Sequence, residues 1–232
     1  MSANARWIEI DTVDGKLQGY LSLPPTGKGP GIILFQEIFG VNEHIRGVAD
    51  LYAKAGYVVL APDVFWRSQP RVELGYVEPD MSQAVGLMQQ VDISKTLADV
   101  AATAKVLRNL PEVTGKIAAI GYCFGGQLAY LSAAEGLVDA AVAYYGGGIQ
   151  NKLDQAAKIS VPIVFHYGEK DSHIPLDAVE QVKASFAGRN NAKFYLYPDA
   201  EHGFNCWARG SYQQKASAVA LGRTLQFLAE TL

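Results

Sequence analysis

Residues 120–130 read IGYCFGGQLAY. The residues leading in, Lys116 to Gly121, form a run of strand length, and 124–135 carry a helical pattern. Cys123 therefore falls where a strand turns sharply into a helix. Glycines at 121, 125 and 126 suit such a turn, because the backbone takes unusual angles and its neighbours come too close for a side chain. A side chain at the apex is lifted clear of strand and helix, and the helix N-terminus favours negative charge on it. In this setting G-x-C-x-G reads as a nucleophile elbow with sulfur in place of a hydroxyl oxygen. The competing reading is a buried structural thiol, the commoner fate of a lone cysteine. The flanking glycines and the strand–helix context weigh toward the nucleophile.

Working outward, Ala5–Val13 and Lys16–Leu23 read as two strands separated by Asp14-Gly15, a hairpin signal. Gly31–Gln36 is almost unbroken in apolar character, as a strand buried on both faces is. A helix is expected over 43–55, closed by Gly56, then a buried strand over Tyr57–Ala61. Residues 63–80 form a loop rich in Pro, Gly, aromatic and charged residues, long enough to suggest a functional segment. Helices are expected over 81–90, 92–109, 124–135, 176–187 and 211–231, and strands over Lys116–Gly121, Asp139–Tyr145, Val161–Tyr167 and Lys193–Tyr197. After the hairpin, strands and helices mostly alternate. That pattern predicts an α/β fold with a mainly parallel central sheet flanked by helices on both faces. In such sheets ligands bind beyond the carboxyl ends of the strands.

The chain has 232 residues, 49% apolar and 19% charged, with a formal net charge of −3, the profile of an ordinary globular protein. No repeat, low-complexity tract or linker divides it, so one domain over residues 1–232 is expected. No basic stripe supports nucleic-acid binding, and no run of 18 apolar residues predicts a membrane span. The opening MSANARWIEI lacks a basic segment followed by an apolar core, so a cytoplasmic protein is expected, and a monomer. Two cysteines, Cys123 and Cys206, suggest no disulfide framework.

A nucleophile needs a base, and the base an orienting acid. Of the four histidines, His166 lies within the strand VPIVFHYG and is expected in the core, and His44 starts an early helix. His202, in AEHGF between the last strand and the last helix, is the favoured base, with His173 as its rival. Asp171, in GEKDSHIP after the strand 161–167, is the candidate acid. The order Cys123, Asp171, His202, at spacings of 48 and 31 residues, is the nucleophile–acid–histidine order of this kind of site. The plainer alternatives are that Asp171 caps the next helix and His202 sits on the surface. Backbone amides of Phe124 and of Ile38, in the loop after the strand 31–36, are the expected oxyanion donors. Asp171, His173, His202 and Cys206 lack any compact metal-binding spacing, so no metal is expected.

Five motifs in order, Q-E-I-F-G-V-N (Gln36–Asn42), G-Y-C-F-G-G (121–126), A-Y-Y-G (143–146), the G-x-x-D of Gly168–Asp171 and the H-x-F of His202–Phe204, resemble the dienelactone hydrolase (carboxymethylenebutenolidase) family. The resemblance runs over nearly the whole chain. It implies a single-domain α/β-hydrolase fold and cleavage of a small-molecule lactone or ester through a Cys-His-Asp triad, without metal or organic cofactor. The triad carries onto Cys123, His202 and Asp171. The resemblance also implies a role for Glu37: its carboxylate holds the thiol in the resting enzyme and helps generate the thiolate when substrate arrives. A free cysteine, with a pKa of about 8.5, is only a few per cent thiolate at neutral pH. The plainer alternative for Glu37 is an ion pair with an arginine.

Two positions depart from the family pattern. Its two arginines for a substrate carboxylate fall at Met81 and Cys206 here. A buried carboxylate without a charged partner is disfavoured, so either other arginines serve or the substrate lacks that group. Arg209, Arg67 and Arg71 are the candidates, and Tyr145 either lines the pocket or packs in the core. The departures keep open a broader carboxylesterase for uncharged small esters. A non-catalytic small-molecule-binding protein on the same scaffold is a further class. A thiol redox protein is another, lacking any C-x-x-C.

Overall fold

Ile32, Ile33, Leu34 and Phe35 are consecutive and fully buried, so the strand that carries them, β3 (Gly29–Phe35), is covered on both faces. The computed structural model describes residues 4–232. Its residues group into two compact units, one running to Ile117 and the other Ala118–Leu232.

In the first unit, β1 (Asn4–Thr12) and β2 (Gly15–Leu23) form an antiparallel hairpin. Thr12 pairs with Gly15, so the turn residues are Val13 and Asp14, one position earlier than Asp14-Gly15 suggested. β2 runs antiparallel to β4 (Val58–Pro62), which runs parallel to β3. The order is β1-β2-β4-β3. Helix α1 (Glu43–Lys54) packs on β4 and β2, and α3 (Ile93–Asn109) on β1, β3 and β4, while α2 (Asp80–Gln89) precedes α3. α1 begins where Asn42 caps it, its Oδ1 accepting from the Ile45 amide at 3.2 Å.

Asn42 also ties down the long loop. Its Nδ2 donates to the Leu74 carbonyl at 3.0 Å and to the Tyr76 hydroxyl at 3.1 Å. Gly40 bridges Glu73, the Leu74 amide donates to Phe39 O at 3.0 Å, and the Phe39 and Tyr76 rings meet edge to face at 4.5 Å. The segments that follow β3 and β4 are thus clasped together, and residues 63–80 are a structured strap.

In the second unit, residues 118–122 of β5 (Val113–Tyr122) pair with β6 (Ala140–Tyr144), then come β7 (Ile163–Gly168) and β8 (Ala192–Tyr197), all parallel. β6 and β7 are buried throughout, whereas β8 at the edge is only partly covered. Helix α4 (Phe124–Ala134) packs on β6, and α6 (Gln214–Thr231) on β6 and β7, with α5 (Leu176–Ala184) between β7 and β8 in sequence. Tyr122 pairs with Tyr144, Tyr144 with His166, and His166 with Tyr195, so four carboxyl ends open on one edge. Two short 3-10 turns, Ile149–Asn151 and Leu153–Lys158, lie in a stretch that reads as plain loop in the sequence.

Candidate active site

Cys123 sits directly after β5 and before the first residue of α4, with φ 56° and ψ −118°. A non-glycine residue held there carries backbone strain of order 1–3 kcal/mol, which persists only where the surroundings enforce it. Two hydrogen bonds do so: the Cys123 amide donates to Tyr144 O at 3.0 Å, and the Gly126 amide to Cys123 O at 2.9 Å. The turn is so tight that a side-chain carbon on Gly121 would lie 1.8 Å from Gly125 O. Cys123 is partly exposed, unlike the fully buried Cys206, and neither forms a disulfide among the described residues. The Phe124 amide opens α4, where a helix has no internal acceptor for its first donors.

Asp171 follows β7 and uses its two oxygens differently. Oδ1 accepts from the His173 and Ile174 amides at 2.8 and 3.1 Å, fixing the carboxylate in its own turn. Oδ2 is 2.8 Å from His202 Nδ1. The cap alternative fails, since α5 has Pro175 at its N-cap and no side-chain cap bond. The surface alternative for His202 fails too, since only 8% of it is exposed.

The two loops meet because β7 ends in glycine. The Lys170 amide donates to Ala200 O at 2.9 Å, and a side-chain carbon on Gly168 would lie 2.3 Å from that same oxygen. Any larger residue would push the loop carrying His202 away from Asp171.

Burial by itself disfavours the imidazolium of His202. The Cys123 sulfur and the Asp171 carboxylate, both hydrogen-bonded to the ring, outweigh burial and raise its pKa to about 10. His166 goes the other way: burial, with the Arg223 charge adding to it, lowers its pKa to about 3. His166 lies in the core as its strand position predicted. Its Nδ1 is 2.8 Å from the Tyr197 hydroxyl and its Nε2 3.0 Å from the Thr224 hydroxyl, which in turn lies 2.7 Å from the Tyr144 hydroxyl.

Tyr145 follows β6 with φ 35° and is fully buried. Its ring lies edge-on to His202 at 5.1 Å and to Phe204 at 5.3 Å, so it backs the histidine. His173, the rival base, donates its amide to Asp171 and rests its exposed ring edge-on against His202 at 4.8 Å. The Arg209 guanidinium lies beside Gly203, where a side-chain carbon would be 2.7 Å from Nη1.

Arg67 and Arg71 do not serve as free cations. Arg67 pairs with Asp14 at 2.9 Å and with Asp99, which also accepts from Trp66 Nε1 at 2.9 Å. Arg71 stacks 3.4 Å over the Trp7 ring, and its Nη1 donates to Gln18 at 3.0 Å. Both anchor the strap to its own unit. In that unit Glu37 and Ile38 follow β3, with 1% and 9% exposed.

The sequence reading missed the closing role of Gly168 and the chain Tyr197–His166–Thr224–Tyr144. For Gly168 a signal existed, a glycine at the last position of a buried strand. Thr224 offered only a polar residue on the apolar face of a helix.

The model of the dienelactone hydrolase family matches residues 17–232. Carboxymethylenebutenolidase 1 of Cupriavidus pinatubonensis is 33% identical over 216 residues, 93% of this chain and 92% of its own. Carboxymethylenebutenolidase of Pseudomonas putida is 34% identical over 224 residues, covering 96% and 95%. A crystal structure of a dienelactone hydrolase candidate from Klebsiella pneumoniae superposes with a TM-score of 0.87 at 28% identity, covering 99% of both chains.

Proposed function

The chain belongs to the dienelactone hydrolase family and is an ester and lactone hydrolase of α/β-hydrolase fold; from this premise we propose that it opens a dienelactone or a related small enol lactone through Cys123. The thiolate attacks the lactone carbonyl, and the Phe124 amide receives the developing oxyanion. As the tetrahedral intermediate collapses, the ring C–O bond breaks. His202 gives its proton to the departing enol oxygen, leaving a thioester on Cys123 and a neutral imidazole. Water then loses a proton to His202 as it attacks the thioester, and the acid leaves with the thiolate restored. Asp171 keeps the Nδ1 proton of His202 in place through both steps.

The observation that carries this reading is the 2.8 Å bond from His202 to Asp171, combined with a sulfur that helps to raise the same imidazole to about 10. A histidine so placed holds a proton at neutral pH that it can deliver to the departing oxygen. The test is Cys123→Ala with a slow ester substrate. Hydrolysis should fall by about a thousandfold or more, and the mass of an acyl group should appear on the parent protein but not on the variant. Undiminished turnover by Cys123→Ala would sink the assignment.

A second reading, a carboxylesterase for uncharged small esters, draws support from Arg67 and Arg71, whose charges are committed to Asp14, Asp99 and the Trp7 ring. Comparing kcat/KM on dienelactone with that on its methyl ester separates the two. Preference for the methyl ester would favour the second.

A further inference from the structure

Away from Cys123, the carboxyl end of β8 and the first half of α6 enclose a groove of about 310 Å³. That volume lies at the lower end of what small-molecule sites use. Its walls are unusual in their charge. Lys215 and Arg223 both line it, and neither pairs with a carboxylate among the described residues. The acidic group at the rim, Asp199, lies 2.5 Å from Lys170 Nζ and is committed there. Arg223 lies over the ring of Tyr195 at 4.2 Å and that of Tyr197 at 5.4 Å and donates to the Tyr197 hydroxyl. Stacking occupies the face of a guanidinium and leaves in-plane N–H donors along its edge. Leu196 and Val219, 44% and 41% exposed, form apolar lips beside these cations.

We infer that this groove is a second ligand site, one that binds a small monocarboxylate with an apolar body. The carboxylate meets the edge of Arg223 in a charge-assisted pair, with Lys215 as the second cation. The apolar body covers Leu196 and Val219, removing exposed hydrocarbon from water. An inorganic anion would gain the charges but not the lips, and a neutral ring the lips but not the charges. The inference does not depend on the catalytic reading, because no residue of the groove belongs to the catalytic set.

The test is a benzoate titration of the full chain followed by amide NMR. Saturable shifts are expected across 195–199 and 215–223. Arg223→Met, which keeps the stem, and Val219→Asp, which places a carboxylate on the lip, should each weaken binding about tenfold or more. Both variants should keep the parent rate of ester hydrolysis, which shows that they are folded. If Arg223→Met does not fold, Val219→Asp decides. Benzyl alcohol and inorganic phosphate should bind at least about tenfold more weakly than benzoate. Three results would overturn the inference: shifts confined to the neighbours of Cys123 and His202, binding unchanged in the folded groove variants, or either control matching benzoate.

Discussion

Asp171 is held from two sides, and its charge acts on only one of them. Oδ1 is committed to the amides of its own turn, which leaves Oδ2 as a fixed acceptor for His202. Asp171→Asn keeps the shape but removes the charge that stabilises an imidazolium. It should lower kcat by about 100- to 10,000-fold, toward the value for the loss of the acid in a serine triad. The pKa of His202, followed by NMR, should fall well below 10 in the same variant. An unchanged histidine pKa would mean that the carboxylate only shapes the loop. Asp171→Glu is not a conservative rescue, because the extra methylene displaces the carboxylate from amides only two and three residues away. The sequence made this residue legible through chain order, its place after a buried strand and the G-x-x-D motif. Its double use depends on the positions of His173 and Ile174, which no spacing reports.

At the scale of elements, the predicted limits of strands and helices hold closely because the signals are local. β3, β6 and β7 are continuous apolar runs, and Asn42 caps α1 as its residue type favours. Partners distant in sequence were not legible. Arg67 reads as a candidate for substrate binding until Asp14 and Asp99, from the hairpin turn and from α3, are seen to hold it. Glycines give a test of how elements meet. Gly168→Ala must displace the backbone at Ala200, so it should cost about 1–3 kcal/mol in urea unfolding. It should also lower kcat, as the His202 loop moves. Gly222→Ala lies within α6 and meets nothing within 4 Å, so it should stabilise by about 0.5–1 kcal/mol with no change in rate. Equal effects from the two substitutions would show that loop closure does not depend on Gly168.

At the scale of the whole molecule, the two buried histidines pull stability in opposite directions with pH. His202 is raised from 6.5 to about 10, so its contribution is complete below about pH 6.5 and is lost as pH rises toward 10. His166 is lowered from 6.5 to about 3, so its neutral form contributes above about pH 6.5 and that contribution is lost as pH falls toward 3. Together they place the maximum from these two groups near pH 6.5. Urea unfolding between pH 5 and 9 should show stability falling on both sides. Side-chain NMR over the same range should show His166 remaining neutral and His202 remaining charged up to pH 8. Titration of either ring near 6.5 would contradict the burial and pairing described for it. The family and the positions of Cys123, Asp171 and His202 were readable because each motif is short and follows a strand. The charge states of the histidines were not, since they arise from burial with the Arg223 charge for His166, and for His202 from Cys123 and Asp171 outweighing burial. The even ends of β5 to β8 bear on how such a protein can diversify. Cys123, Tyr145, Asp171 and His202 each stand within five residues of the end of their strand, while the rows that fix the register lie behind them. Mutational libraries at exposed positions beyond the strand ends, such as His173, can therefore vary the loops with the strand register left intact.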